Sequence, residues 1–327
     1  MSVPDAPREE RSRSREALRP LRVLLHVTGD DAAHWREALA GALPEAQVLL
    51  WPERADDVDY LVLWRPPAEI FATAPRARAI FNLGAGVDAI LRVPTLPRDI
   101  PVVRLEDAGM AAQMADYVTL AVLAAYREQQ VYAEQQRAGK WERRPFRDKR
   151  AFGVGLLGLG VLGQAVAGAL IAREFPVYGW SRERKALPGV TTFAGAGELE
   201  SFLHEAQVLV CLLPSTPDTR GIIDARLLAQ LPRGAHLVNI ARGDLVVDAD
   251  LVAALDRGQL ASATLDVFHE EPLPPAHPFW RHSRVTLTPH SSAVTLIDES
   301  VAQIAAKIRR VEQGLPVSGI VDRARGY

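Results

Sequence analysis

The sequence is short of several things, and each shortage narrows what the chain can be. It carries one cysteine in 327 residues, so no disulfide forms within the chain, and such usage fits a reducing compartment. That residue, Cys211, stands in the apolar run "VLVCLLP", where a packed thiol is expected rather than a reactive one. No stretch approaches the roughly 20 apolar residues that a membrane span requires. Charge of one sign is missing too, since 38 Lys and Arg face 40 Asp and Glu, a net charge of −2. This balance offers no hold for nucleic acid or an acidic membrane, and neither is expected as a partner. The histidines lack close spacing with paired Cys or Asp ligands, so no metal site is expected. Residues 1–20 lack the apolar segment of a secretory signal, and Asp5, Glu9, Glu10 and Glu16 argue against an organelle transit peptide. They read as a mobile tail on a cytoplasmic protein.

What is present is alternation. "LRVLLHV" (21–27), "AQVLLW", "YLVLW" and "ARAIFNL" are short apolar runs separated by helical spacing, as in "DAAHWREALAGAL". A segment from 111 to 141 reads as one long helix ending near Gly139. A second series follows: "VGLL", "PVYGW", "AQVLVCLL", "AHLVNIA", "SATLDVF" and "RVTLTPH". An amphipathic helix, "IDESVAQIAAKIRRVEQG", comes last, capped by Gly314. Strands alternating with helices build parallel sheets covered on both faces, so the fold class is α/β with two doubly wound lobes.

Within the second series, "GLLGLGVLGQ" (155–164) places Gly158, Gly160 and Gly163 as G-x-G-x-x-G between a strand and a helix. Gly158 permits the tight turn, Gly160 lets a pyrophosphate approach the backbone, and Gly163 lets helix and strand close together. The N–H groups around Val161 and Leu162, at the positive end of the helix dipole, would then meet phosphate oxygens. This lobe is expected to be a Rossmann cofactor domain. Its second strand ends in "GWSRERK", with Ser181, Arg182 and Lys185 but no carboxylate in the first positions. An NAD-preferring fold puts Asp or Glu there for the ribose 2′-OH. A guanidinium instead suits a 2′-phosphate. The cofactor expected is therefore NADP(H), with NAD(H) possible, and Glu183 is expected to face solvent.

Three charged groups follow three successive strands. Arg242 lies in "VNIARGD", Glu271 in "LDVFHEEPLP" and His290 in "VTLTPHSS". In an open parallel sheet the carboxyl ends of strands line the ligand crevice. Reduction of a 2-keto acid needs a proton for the carbonyl oxygen, which an imidazole supplies near neutral pH beside an ionised carboxylate. An arginine orients the substrate carboxylate bidentately. Glu270 is the second candidate for the carboxylate, whereas His269, His277 and His282 read as surface or loop residues. In the first lobe, "NLGAGVDAIL" is another glycine turn without the third glycine. The loop Leu83, Gly84, Ala85, Gly86 and Val87 is expected to offer N–H groups to a small carboxylate. Trp64 and Arg65 after "YLVLW" would close the other side, although a packed indole and a surface arginine are an equal reading.

Taken together, "LGAGVD", "GLGVLG", "LLPSTPDTRGII", "NIARGD", "LDVFHEEPLP" and "VTLTPH" resemble the D-isomer-specific 2-hydroxyacid dehydrogenase family over residues 21 to 327. "RLEDAGMAAQM", "WSRERKALPGV" and "VDRARGY" are similar to its glyoxylate/hydroxypyruvate reductase branch. The resemblance implies Arg242, Glu271 and His290 as an Arg–Glu–His group. It implies a nicotinamide near Ala241 and Asp266, with Pro214 and Thr216 in a loop touching the cofactor. It implies a flavodoxin-like substrate lobe of 21–112 and 292–327 closing by a hinge over an NADP-binding lobe of 113–291. A homodimer is implied as well, with Trp141 reaching toward the partner. The expected activity is NADPH-dependent reduction of small 2-keto acids, glyoxylate and hydroxypyruvate foremost. A dehydrogenase for phosphoglycerate or a broader set of keto acids, or a dinucleotide-sensing protein without turnover, are the alternatives.

Overall fold

The computed structural model describes residues 19–29, 31–53 and 57–327. The tail expected over 1–20 thus lies outside the described residues, except for Arg19 and Pro20. Contacts divide the chain into two compact units. One takes the residues up to Leu105 together with Ile297–Arg323, the other Glu106–Leu296 and Ala324–Tyr327.

Short apolar runs make the first unit's sheet: β1 (Leu21–His26), β2 (Ala46–Leu50), β3 (Tyr60–Leu63), β4 (Ala79–Asn82) and β5 (Val102–Arg104). All pair in parallel, in the order β2-β1-β3-β4-β5, which is the flavodoxin-like order. β3 and β4 are buried along their whole length, as strands covered on both faces must be. Helices α1 (Ala32–Ala42) and α2 (Asp88–Leu91) belong to this unit. The last helix, Ile297–Glu312, packs against α1. Asp59, 4% exposed, accepts from both Arg19 nitrogens at 2.8 Å and from Arg78 at 3.3 Å, so its buried charge is paired. β5 carries no expectation from sequence, being three residues long after Pro101.

The second unit begins with α3 (Met110–Tyr126) and α4 (Gln129–Arg137). One long helix was expected here, and the structure breaks it. Glu128 adopts a left-handed backbone (φ 52°) and is 8% exposed, its carboxylate accepting from Arg144 at 3.2 Å and Arg147 at 3.0 Å. Burying that charge against two arginines bends the chain where helical periodicity alone would continue. Seven parallel strands follow: β6 (Val154–Leu157), β7 (Val177–Ser181), β8 (Val190–Ala194), β9 (Val208–Cys211), β10 (Ala235–Asn239), β11 (Leu260–Leu265) and β12 (Val285–Leu287). Their order is β12-β11-β10-β9-β6-β7-β8. The helices α5 (Val161–Ile171), α6 (Leu199–His204), α7 (Ala225–Gln230) and α8 (Asp248–Asp256) cover the sheet.

Side-chain alternation sorts the strands between two cores. Val154, Leu156, Val208 and Val210 meet Val118 and Val122 of α3 and Val166 and Leu170 of α5. Leu157, Leu209, Cys211 and Leu237 meet Leu227 and Leu228 of α7 and Leu251 and Leu255 of α8 on the other face. Burial pushes the Cys211 thiol up to about 12, so it packs as a small apolar group. The chain moves outward from β6 through β7 to β8, then returns to β9 beside β6. That reversal is the switch point at which such sheets take ligands. Among the described residues no helix is long and apolar enough to cross a membrane.

Candidate active site

At the switch point β6 runs into Gly158, whose φ of 109° only glycine adopts easily. A Cβ on Gly163 would stand 2.2 Å from the Gly158 carbonyl oxygen, so α5 and the strand end touch backbone to backbone. Gly160 is different. Its φ is −71°, and a Cβ there would meet nothing within 4 Å. Packing therefore does not demand glycine at this position; a ligand approaching the backbone through that open space would. Gly160 is also the N-cap of α5 and gives no side-chain cap, so the helix's first N–H groups, around Val161 and Leu162, face that space. An anion cradle of this form fits a dinucleotide pyrophosphate. Lys185 donates its ammonium to the Leu159 carbonyl at 2.7 Å, which sets a cation beside the loop.

Ser181 closes β7 and is 8% exposed. Its hydroxyl donates to the Glu183 carbonyl at 2.7 Å, so Ser181 shapes the turn and leaves the charge to its neighbours. Arg184 is engaged by the sheet edge through the Thr192 carbonyl at 2.6 Å and an ion pair with Glu198. Arg182 is exposed, its guanidinium over the Tyr327 ring. Glu183 faces solvent, as its sequence context indicated. After β9, Thr219 donates to the Pro214 carbonyl at 2.6 Å and accepts the Thr216 N–H at 2.9 Å, which folds this loop tightly.

Arg242 follows β10, Glu271 follows β11 and His290 follows β12, three neighbouring strands. Asn239 clamps the first turn, donating to the Arg242 carbonyl at 2.9 Å and accepting the Ala241 N–H at 3.1 Å. Gly243 explains how the first two loops meet. A Cβ there would lie 1.9 Å from the Phe268 carbonyl carbon, so the backbone before Glu271 rests directly on the turn after Arg242. Glu271 accepts the Phe268 N–H at 3.0 Å through Oε1 and sits 2.7 Å from His290 Nδ1 through Oε2. A carboxylate accepting at Nδ1 orients the ring and fixes its proton there, leaving Nε2 to face a reactant. His269, His277 and His282 lie instead against Asp248 or Asp256 at 3.3–3.6 Å.

His290 has a φ of 55°, a conformation that side chains rarely adopt. Asp266 holds it there. The Asp266 carbonyl accepts the His290 N–H at 2.8 Å, while its carboxylate, 0% exposed, accepts from Thr288 Oγ1 at 2.5 Å and from the N–H groups of Ser291 and Ser292 at 2.8 Å. Tyr117 of α3 bonds Thr288 at 2.6 Å and, since the threonine proton goes to Asp266, is the donor. Asn239, Gly243, Thr288 and Tyr117 carry no sequence signal of their own; only tertiary contacts assign them these tasks.

In the first unit, His26, Trp64 and Asn82 lie at or just past the carboxyl ends of neighbouring strands. Burial holds His26 below the usual histidine range, opposed by a hydrogen bond with the Arg65 backbone. Trp64 packs on the glycine turn, since a Cβ on Gly84 would be 2.6 Å from the indole, and Arg65 lies 5.6 Å from the ring centroid. Asn82 donates to the Gly84 and Gly86 carbonyls at 3.0 Å. Two of the expected donors are spent within the protein: the Leu83 N–H on Leu63 and the Gly84 N–H on Asn82, each at 2.9 Å. Closing a tight turn requires both. Ala85, Gly86 and Val87 remain as candidate donors.

Comparison with known proteins agrees with this geometry. Residues 119–292 match the D-isomer specific 2-hydroxyacid dehydrogenase family, NAD binding domain. The chain is 47% identical over 304 residues to the glyoxylate/hydroxypyruvate reductase A of Serratia proteamaculans, covering 91% of this chain and 97% of that one. A D-isomer specific 2-hydroxyacid dehydrogenase from Xanthobacter autotrophicus, solved with NADPH and MES, superposes with a TM-score of 0.89 at 41% identity, over 94% of this chain and all of that one. An NADPH-dependent glyoxylate/hydroxypyruvate reductase from Sinorhizobium meliloti, solved with NADP and sulfate, gives 0.88 at 36% identity, again over 94% of this chain and 100% of that one.

Proposed function

The chain belongs to the D-isomer specific 2-hydroxyacid dehydrogenases, and from that premise we propose that it reduces small 2-keto acids, glyoxylate and hydroxypyruvate foremost, with NADPH. It is an NAD(P)-dependent oxidoreductase with NADP(H) as its preferred cofactor and NAD(H) as a possible one. The reading is carried by one observation: a His–carboxylate pair at 2.7 Å past the carboxyl ends of the same parallel sheet as an open glycine cradle. When bound, the reduced nicotinamide supplies a hydride to C2 of the keto acid. Gly160 and the first N–H groups of α5 would hold the pyrophosphate, and Arg182 and Lys185 would supply positive charge for the 2′-phosphate. Ala241 and the loop holding Pro214 and Thr216 would flank the cofactor. His290 gives the proton at Nε2 to the carbonyl oxygen as negative charge develops there, and Glu271 stabilises the ring's positive charge at Nδ1. Arg242 binds the substrate carboxylate through its planar fork. For the first unit the proposal is narrower: the N–H groups of Ala85, Gly86 and Val87 suit a small carboxylate, with Trp64 and Arg65 beside them.

The protein works as a cytoplasmic homodimer in this reading. Leu120, Trp141 and Phe146 of the second unit are 68%, 103% and 89% exposed, an apolar load that a second copy would cover. The test is turnover of a panel of 2-keto acids with both nicotinamides, in wild type and His290→Ala. Reduction of glyoxylate and hydroxypyruvate with NADPH, abolished in the variant while NADPH still binds, is the expected result. Binding of NADPH without turnover of any keto acid would instead identify a sensor.

A further inference from the structure

The last four residues, Ala324–Tyr327, belong to the cofactor unit and touch two of its loops. Gly326 lies against Thr216, where an added Cβ would stand 3.4 Å from the threonine methyl. Arg325 approaches Glu183 to 3.8 Å, and the Arg182 guanidinium carbon stands 5.4 Å from the centroid of the Tyr327 ring. A long arginine on an exposed turn samples many rotamers unless something holds it. A carboxylate would hold Arg182 but would also occupy its donors. An aromatic face attracts the cation through its quadrupole and leaves the N–H donors available to an incoming dianion. Glu183 is the acid next to Arg182 in sequence, and it would repel a phosphate. Arg325 draws it toward the opposite charge.

We propose that Tyr327 is a positioning residue for cofactor choice, its ring presetting Arg182 for the 2′-phosphate of NADP(H). Residues 324–327 thereby take part in separating phosphorylated from unphosphorylated nicotinamides. This rests on the reading of Arg182 as the phosphate's partner.

The test is calorimetric titration of the full-length protein with adenosine 2′,5′-bisphosphate, NADPH and NADH. Tyr327→Ala weakens the bisphosphate and NADPH about two- to five-fold, the range of an exposed cation–π contact, and leaves NADH unchanged. Tyr327→Phe, which keeps the ring, binds all three as wild type does, and kcat at saturating NADPH is the same in each. In an Arg182→Ala background the tyrosine substitution has no further effect. Equal weakening of NADPH and NADH, or an effect that persists without Arg182, overturns the proposal. If Arg182→Ala alone binds all three normally, the reading of the cofactor loop fails. If Arg182→Ala loses NADPH selectively while Tyr327→Ala matches wild type, only the role of Tyr327 fails.

Discussion

Asp266→Asn separates two tasks open to one buried carboxylate: holding the His290 segment and contacting the nicotinamide. The side chain is 0% exposed and accepts from Thr288, Ser291 and Ser292, all on the segment that carries His290. An asparagine of the same shape keeps one acceptor oxygen, which serves Thr288 and the Ser291 N–H. Its amide then points donors at the N–H of Ser292, a residue only 4% exposed. The loss is one hydrogen bond to a charged group and one buried N–H left without an acceptor, about 2–4 kcal/mol. That is a large share of the roughly 5–15 kcal/mol by which a typical protein is stable. Urea denaturation should show a lower midpoint at unchanged slope. kcat should fall with it, because the φ of 55° at His290 is sustained by these bonds, while NADPH affinity should hold. An unchanged midpoint together with weakened NADPH would refute this reasoning and place the contribution of Asp266 at the nicotinamide instead.

Two glycines of one loop should respond in opposite ways. Gly163→Ala sets a methyl 2.2 Å from the Gly158 carbonyl and should cost about 1–3 kcal/mol in thermal or urea unfolding. Gly160→Ala meets open space and should leave stability unchanged while weakening NADPH in a calorimetric titration. His236, buried beside Ser262 and Phe152, is lowered by burial to about 4, with Arg147 adding to the effect. Above pH 6.5 the ring is neutral in both folded and unfolded chains. Between 6.5 and about 4 only the unfolded chain takes up the proton, so stability is lost as pH is lowered across that window, by about 3 kcal/mol in all. Urea midpoints of His236→Asn should vary less with pH over the same range.

The legible parts of this fold are those whose information is local. β3, β6 and β9 are four residues without a charged or amide side chain because both faces are covered, and β4 is apolar over its first three before Asn82; such runs are visible in any sequence. β5 and β8 leave a fainter trace: one is three residues long, the other half-exposed and rich in threonine. The break between α3 and α4 is invisible because its cause lies 16 and 19 residues away, at Arg144 and Arg147. The site divides along the same line. Glycine spacing and charged residues after strands mark where chemistry gathers. Which of Glu270 and Glu271 meets the imidazole, why Gly243 cannot be larger, and what keeps His290 in its backbone conformation depend on loops brought together by neighbouring strands.

The first unit is discontinuous in sequence, and this governs the order in which the molecule can be built on a ribosome. Residues 106–296 are contiguous and can fold as soon as they emerge. The amino-terminal sheet, although made first, must wait. β5 receives its outer partners only when Gly319 and Val321 arrive, Tyr60 finds Glu312 only then, and the face beside α1 stays open until Ile297–Glu312 is complete. Until residues 297–323 are made, the nascent chain therefore carries an unfinished sheet ahead of a unit that can already be folded.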